Sequence, residues 1–306
     1  MKLVRVFPNL SAENKSAYRN RQEAIITCIS PVFYLISRND NQADKMKIIA
    51  DNTVPYLKGI LEPIADVSYL DSKEFTPTNI KDADALIVRS IDKCTRELLE
   101  GSRFAHHDST IGYDHIDIHY CEKAGITWKN APGCNAASVG QYVLSSLVAV
   151  ALRKGERLAG KTIGIVGVGH VGSIVERLCE AMGMRVLRND PPRAEQEGDG
   201  GFVSLDTIAK EADIITLHVP LTKEGRFATR HLADPAFFDK LERKPWFINS
   251  CRGAVHDTQA LLQAKRTGKV SELIIDCWEN EPDIDRELLS EATIATPHIP
   301  VSPPTG

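Results

Sequence analysis

The chain has 306 residues, enough for about two domains of ordinary size. A hydrophobic content of 42% and a charged content of 25% place it among soluble globular proteins, and a net charge of -4 offers no basic surface of the kind that nucleic acid requires. Its seven cysteines form no C-x-x-C pair and no zinc spacing, which reads as reduced thiols in a cytoplasmic protein and predicts no metal site.

Met1–Lys45 does not resemble the start of an α/β domain. Ser11–Glu23 is polar and charged, and Ala24–Ser37 is an apolar run, broken by Pro31, that is too short to span a bilayer. A basic stretch precedes it, as in a secretory signal, but no small-residue cleavage site follows, so it is read as an extension outside the folded unit. From Met46 the pattern alternates. MKIIAD (Met46–Asp51) reads as a strand, Pro55–Ile64 as a helix, Ala65–Tyr69 as a strand and Ala85–Arg89 as another. A short helix at Thr95–Leu99 and a strand at Ile126–Trp128 follow, then a long apolar helix over Asn135–Leu152. The remaining elements are helices at Ser204–Glu211 and Thr258–Thr267 and strands at Asp213–His218, Trp246–Ser250 and Glu272–Cys277. Such alternation predicts an α/β protein of two doubly wound, Rossmann-like parallel-sheet domains.

Between those runs, Lys161–Pro192 organises the chain. Thr162–Val168 is a buried-type strand, Val171–Met182 has helical spacing, Arg185–Leu187 is a second strand, and Asp190 stands just beyond it. Gly167, Gly169 and Gly172 hold G-x-G-x-x-G spacing. The first permits a tight turn, the second a close approach to a pyrophosphate, and the third close packing of helix on strand. The helix N-terminus, with His170 and Val171, offers N–H groups to the anion. Asp190 suits a ribose 2′-hydroxyl and opposes a 2′-phosphate, which selects NAD over NADP; Arg193 weakens that preference without reversing it.

Chemistry on such a cofactor occurs at the carboxyl ends of neighbouring strands. Arg252 follows one strand, Glu281 another, and His298 follows the short run ATIATP. A histidine suits the removal of a hydroxyl proton, a carboxylate on its second nitrogen fixes the tautomer, and an arginine fork matches a substrate carboxylate. Singly, each has an ordinary structural role open to it. Together, behind a dinucleotide fingerprint, they read as a catalytic set. The adjacent pair His106–His107 would point to opposite faces of a strand, and His115 and His119 read as surface residues.

At this point the motifs ALIVRS, STIGYDHID, APGCNA, VGVGHVG, NDPPR, LHVPLT, TRHLAD, NSCRGAVHD, DCWENEP and TPHI resemble those of the D-2-hydroxyacid dehydrogenases. PGCNA, DPPR, HLAD and CRGAV set the chain apart from the phosphoglycerate and lactate members. The resemblance implies an NAD-dependent dehydrogenase of a small phosphorylated hydroxy acid, with Arg252, Glu281 and His298 catalytic. It places the cofactor on Gly167, Gly169, His170, Val171, Gly172, Asp190, Val219, Ser250, Cys251, Arg252 and Asp276, and the substrate on Ser90 and Thr110. It also implies a split substrate domain over 46–140 and 291–306, an NAD domain over 141–290, and a homodimer. No nucleic-acid or membrane partner is expected. Met1–Lys45 has no family counterpart, FAHHD (Phe104–Asp108) stands where an apolar strand is expected, and PVSPPTG follows Ile299 in place of the returning helix and dimerisation module. The expectation is therefore a truncated or frame-shifted end whose activity is in question. A dehydrogenase for another acid such as phosphoglycerate, or an inactive NAD-binding chain, stays open beside the main reading, and a substrate panel separates them.

Overall fold

The computed structural model describes residues 45–54, 57–89, 92–102, 106–109 (backbone alone), 113–130, 133–198 and 200–299. Residues 1–44 and 300–306, to which most of the expectations about the two ends refer, lie outside them, as do Ser90 and Thr110. The chain divides into two units, Met1–Cys134 and Asn135–Gly306.

The first unit is built on a parallel sheet of β1 (Lys47–Asp51), β2 (Asp66–Leu70), β3 (Ala85–Val88), β4 (His106–Ser109) and β5 (Thr127–Asn130), in the order β2-β1-β3-β4-β5. Short helices α1 (Pro77–Ile80), α2 (Arg96–Leu99) and α3 (Ile118–Ala124) connect them. Two apolar clusters take alternate residues of β1 and β3, as in a sheet covered on both faces. Ile49, Leu86 and Val88 pack into one cluster, while Ile48, Ala50, Ala85 and Ile87 pack into the other. His106–Asp108, the described part of FAHHD, lie in β4, which pairs with β3 and β5 in continuous parallel register despite its polar sequence.

The helix expected over Pro55–Ile64 is not what residues 57–64 form. Leu57, Ile60, Leu61 and Ile64 do have helical spacing, and Leu57 and Leu61 are fully buried. Yet the segment runs as successive turns, with Ile60 N–H bonded to Leu57 O and Ile64 N–H to Leu61 O. Gly59 takes φ +87°, a left-handed conformation that no helix interior accommodates.

At the carboxyl end of β1, Asp51 is buried against Asp92. Burial raises the Asp51 carboxyl, but the Thr53 hydroxyl and N–H, Asp92 and the Ser72 hydroxyl outweigh it and hold it low. Asp92 goes the other way: burial and the neighbouring Asp51 charge push it up to about 6, against the opposing Arg89 N–H. Its buried Oδ1 meets no partner among the described residues, and the raised value favours a single proton on the pair. A folded-state value raised above 3.8 means that the protonated pair stabilises the fold; that contribution is complete below 3.8 and is lost as pH rises through about 6. Thermal melts of the parent should therefore show a first-unit transition that weakens from pH 4 to pH 7. Asp92→Asn should flatten that slope, and an unchanged slope would show that the pair does not share the proton.

The second unit carries a six-stranded parallel sheet in the order β11-β10-β9-β8-β6-β7. Its strands are β6 (Thr162–Val166), β7 (Arg185–Asn189), β8 (Ile214–Leu217), β9 (Trp246–Asn249), β10 (Glu272–Ile275) and β11 (Ile294–Ala295). The helices are α4 (Ala136–Lys154), α5 (His170–Ala181), α6 (Pro191–Glu197), α7 (Leu205–Glu211), α8 (Pro235–Asp239), α9 (Thr258–Arg266) and α10 (Arg286–Glu291). Alternation along β9 sends Trp246 and Ile248 into one core and Phe247 into the other. Full burial of a side chain such as Phe247 contributes about 1.5–3 kcal/mol. α4 is long and apolar enough by composition to cross a membrane, but Val139, Val143, Leu147 and Val150 bury its stripe against this sheet's core. Gly140 lets α5 approach: a Cβ there would stand 2.6 Å from Ile174 Cγ2. α4 lies whole in the second unit, across the expected boundary at 140, and β11 adds a strand to its sheet past the expected boundary at 290.

Candidate active site

The order of the second sheet reverses between β6 and β8, since β7 lies on one side of β6 and β9 to β11 extend beyond β8. Open α/β sheets bind ligands outside the carboxyl ends of the strands at such a point. The glycine loop leaves β6 there. Gly167 has φ +88°, and a Cβ on it would stand 2.6 Å from His218 O at the end of β8. A Cβ on Gly172 would strike Gly167 O, so the third glycine is what seats α5 on the loop. Gly169 faces open space, with nothing within 4 Å of a Cβ position, and caps α5. His170, Val171 and the exposed N-terminal turn of α5 border that space.

Asp190 caps α6 from the end of β7. Its Oδ2 accepts from Val168 N–H at 2.8 Å and its Oδ1 from Arg193 N–H at 3.1 Å. A carboxylate has about four lone-pair sites, so further acceptance from a diol remains within its capacity. A mostly apolar cavity of ≈ 420 Å³ adjoins it, walled by Pro191, Ala194, Val203 and Leu205.

The residues after β9 and β10 complete the rim. Asn249 shapes the first turn: its Oδ1 accepts from Cys251 N–H at 3.1 Å and its Nδ2 donates to Arg252 O at 2.8 Å. The same amide lies 2.7 Å from His256 Nδ1, whose imidazole burial pushes down to about 4. Gly253 is pressed on the Trp278 backbone, where no Cβ would fit. Arg252 Nη1 donates to Cys251 O at 2.8 Å, which anchors the guanidinium arm. Ser250 is buried beside it, and burial pushes the Cys251 thiol up to about 11. Val219, at the end of β8, is half-buried and faces the Gly167 turn.

His298 and Glu281 meet directly: His298 Nδ1 lies 3.0 Å from Glu281 Oε2. The other Glu281 oxygen accepts from Trp278 N–H at 2.7 Å. Burial raises the Glu281 carboxyl, but His298, the Trp278 N–H and Arg252 outweigh it and hold it below the usual carboxylate range. An ionised Glu281 needs a donor, so Nδ1 carries the proton and Nε2 is left as the acceptor. The two side chains are 25% and 35% exposed, open to an incoming ligand. Asp276 supports the backbone around His298. Its Oδ1 accepts from Thr296 Oγ1 at 2.6 Å and from Ile299 N–H at 2.9 Å, and its main-chain oxygen accepts from His298 N–H at 2.9 Å. Asp276 Oδ2 is buried with no partner among the described residues, and burial raises this carboxyl.

Residues 141–300 match the family described as D-isomer specific 2-hydroxyacid dehydrogenase, NAD binding domain. Erythronate-4-phosphate dehydrogenase of Porphyromonas gingivalis is 53% identical over 256 residues, which are 83% of this chain and 69% of that protein. The enzyme of the same name from Bacteroides thetaiotaomicron is 54% identical over 83% of this chain and 74% of its own. The chain belongs to the D-isomer specific 2-hydroxyacid dehydrogenases. Among solved structures, D-lactate dehydrogenase of Aquifex aeolicus, complexed with NAD and lactic acid, superposes with a TM-score of 0.70 at 28% identity, over 83% of this chain and 88% of that one.

The second unit of this dehydrogenase is an NAD-binding domain, and its residues fit the cofactor: the glycine turn, the open space at Gly169 and the orphaned Asp276 Oδ2 are all polar or steric provision for a ligand. The site also uses residues with no role assigned from the sequence. Asn249 locks the Arg252 turn, and an asparagine at a strand end before a turn was the available signal. His231, in the run TRHLAD, bonds Glu279 Oε1 at 2.7 Å while Glu279 Oε2 takes the Thr258 hydroxyl at 2.7 Å, so the loop carrying Glu281 is tied down on its far side. Nothing in the sequence pairs residues 48 apart. Arg193, expected to weaken the preference for NAD, is engaged elsewhere, with Glu197 and the Val168 carbonyl. Among the described residues no cluster of three metal-type ligands occurs.

Proposed function

We propose that this dehydrogenase oxidises 4-phospho-D-erythronate at C2 to 3-hydroxy-2-oxo-4-phosphooxybutanoate, a step toward pyridoxal phosphate, in the cytoplasm. The His298–Glu281 contact at 3.0 Å, beside Arg252 and at the mouth of a dinucleotide crevice, is the observation that carries the reading. Arg252 holds the substrate carboxylate, because its planar fork matches two carboxylate oxygens. His298 Nε2 takes the C2 hydroxyl proton, and Glu281 holds the ring and stabilises the imidazolium that forms. NAD, when bound, accepts the hydride from C2. Asp190 holds the ribose, Gly167, Gly169 and Gly172 with the N–H groups of His170 and Val171 receive the pyrophosphate, and Val219, Ser250, Cys251, Arg252 and Asp276 border the nicotinamide end. The names of the relatives at 53% and 54% identity favour this acid over phosphoglycerate. Purified protein should reduce NAD with 4-phosphoerythronate and leave 3-phosphoglycerate, lactate and unphosphorylated erythronate at least about tenfold slower in kcat/KM, the size of a lost charge-assisted contact. Equal rates with phosphoglycerate would overturn the substrate assignment.

A further inference from the structure

Arg193 stands three residues beyond the acid that selects the ribose, where a cation would meet the 2′-phosphate of NADP. Its guanidinium makes three hydrogen bonds and one ring contact. Nε and Nη2 bond the two oxygens of Glu197 at 2.8 and 2.9 Å, Nη1 donates to the Val168 carbonyl, and the flat face lies 5.4 Å from the Phe202 ring centroid. A second cation on that ring is Arg188, at 5.3 Å from the centroid, which itself donates to Gly200 O. Asp190 takes the N–H of the same residue, Val168. Val168 in the glycine loop is thus held at its N–H by an acidic side chain and at its carbonyl by a basic one, both from the run DPPR.

We infer that Glu197 and Phe202 are cofactor-specificity residues: they hold Arg193 on the Val168 carbonyl, where its charge steadies the glycine loop instead of receiving a 2′-phosphate. Rejection of NADP then has two sources. Asp190 repels the phosphate, and the Glu197 fork withholds the nearby cation that would otherwise offset the repulsion. A bidentate arginine–carboxylate pair with a stacked face is the arrangement in which an exposed ion pair fixes geometry. The inference rests on the dinucleotide reading of this site.

The test is equilibrium binding of NAD and NADP by calorimetry to the parent, Glu197→Ala, Glu197→Gln and the double variant Glu197→Ala with Arg193→Ala. The Glu197 side chain is 49% exposed, so its removal leaves the core untouched. Release of Arg193 should tighten NADP about tenfold, the worth of one charge-assisted hydrogen bond, with NAD changed less than about threefold. Glu197→Gln, which keeps one of the two acceptors and loses the charge, should fall between. The double variant should lose the gain. An unchanged ratio of NADP to NAD affinity in Glu197→Ala, or a gain that survives removal of Arg193, overturns the inference. A parent chain that binds neither dinucleotide overturns the site reading itself, and this inference with it.

Discussion

Replacement of His298 by alanine is expected to lower oxidation of the hydroxy acid by about 10²–10⁴-fold, the usual worth of a positioned general base, while NAD affinity stays close to that of the parent. The expectation follows from the geometry. Glu281 is held ionised by His298, the Trp278 N–H and Arg252 against the opposing effect of burial, so it cannot itself be the proton acceptor that a rise in pH switches on. It acts through the ring it touches at 3.0 Å. Glu281→Gln keeps a hydrogen-bonding group in place and removes the charge that favours the imidazolium. The rate should fall, and the acid limb of the kcat/KM profile should move to lower pH. The two variants separate roles that a single rate cannot: loss of the base removes the limb, whereas loss of the orienting charge moves it. A His298→Ala protein with parental turnover, or a Glu281→Gln protein with an unmoved limb, would place the proton acceptor elsewhere.

The glycine fingerprint was legible because its physics is local. A turn at φ +88°, an open approach at Gly169 and a close contact at Gly172 are demands that three positions in six residues satisfy by themselves. The strands of the second sheet were legible for a similar reason, since burial on both faces leaves continuous apolar runs such as IGIV in β6 and LII in β10. The segment at 57–64 misled because apolar spacing and a left-handed glycine coexist in it, and the glycine prevails. What stayed illegible depends on register between distant strands. Asp51 meets Asp92 and His231 meets Glu279 only once β1 lies beside β3 and β9 beside β10. His298 and Glu281, 17 residues apart, were matched through the chemistry required of them, and their contact is set by the pairing of β10 with β11.

Arg252→Lys is expected to lower kcat/KM for the hydroxy acid by about 10–10²-fold, since lysine keeps the charge and loses one of two charge-assisted bonds, each worth about 1.5–3 kcal/mol. Arg252→Ala should cost about tenfold more, because the remaining point attraction goes as well. Three features hold the guanidinium where a carboxylate could meet its fork. The arm is anchored to Cys251 O at 2.8 Å, the main-chain oxygen of Arg252 is tied to the Asn249 amide at 2.8 Å, and Gly253 seats the turn on the Trp278 backbone. A lysine placed on that turn inherits the position without the planar pair of donors. The loss should therefore grow with the need for orientation. It should be large for an α-hydroxy acid, whose carboxylate must be fixed to present C2, and small for the binding of NAD alone. Kinetics of Arg252→Lys with the hydroxy acid, set beside calorimetry with NAD, read the two effects separately. Parental kinetics in Arg252→Lys would mean that another cation holds the carboxylate, and equal losses in both measurements would mean that Arg252 serves the cofactor site rather than the substrate.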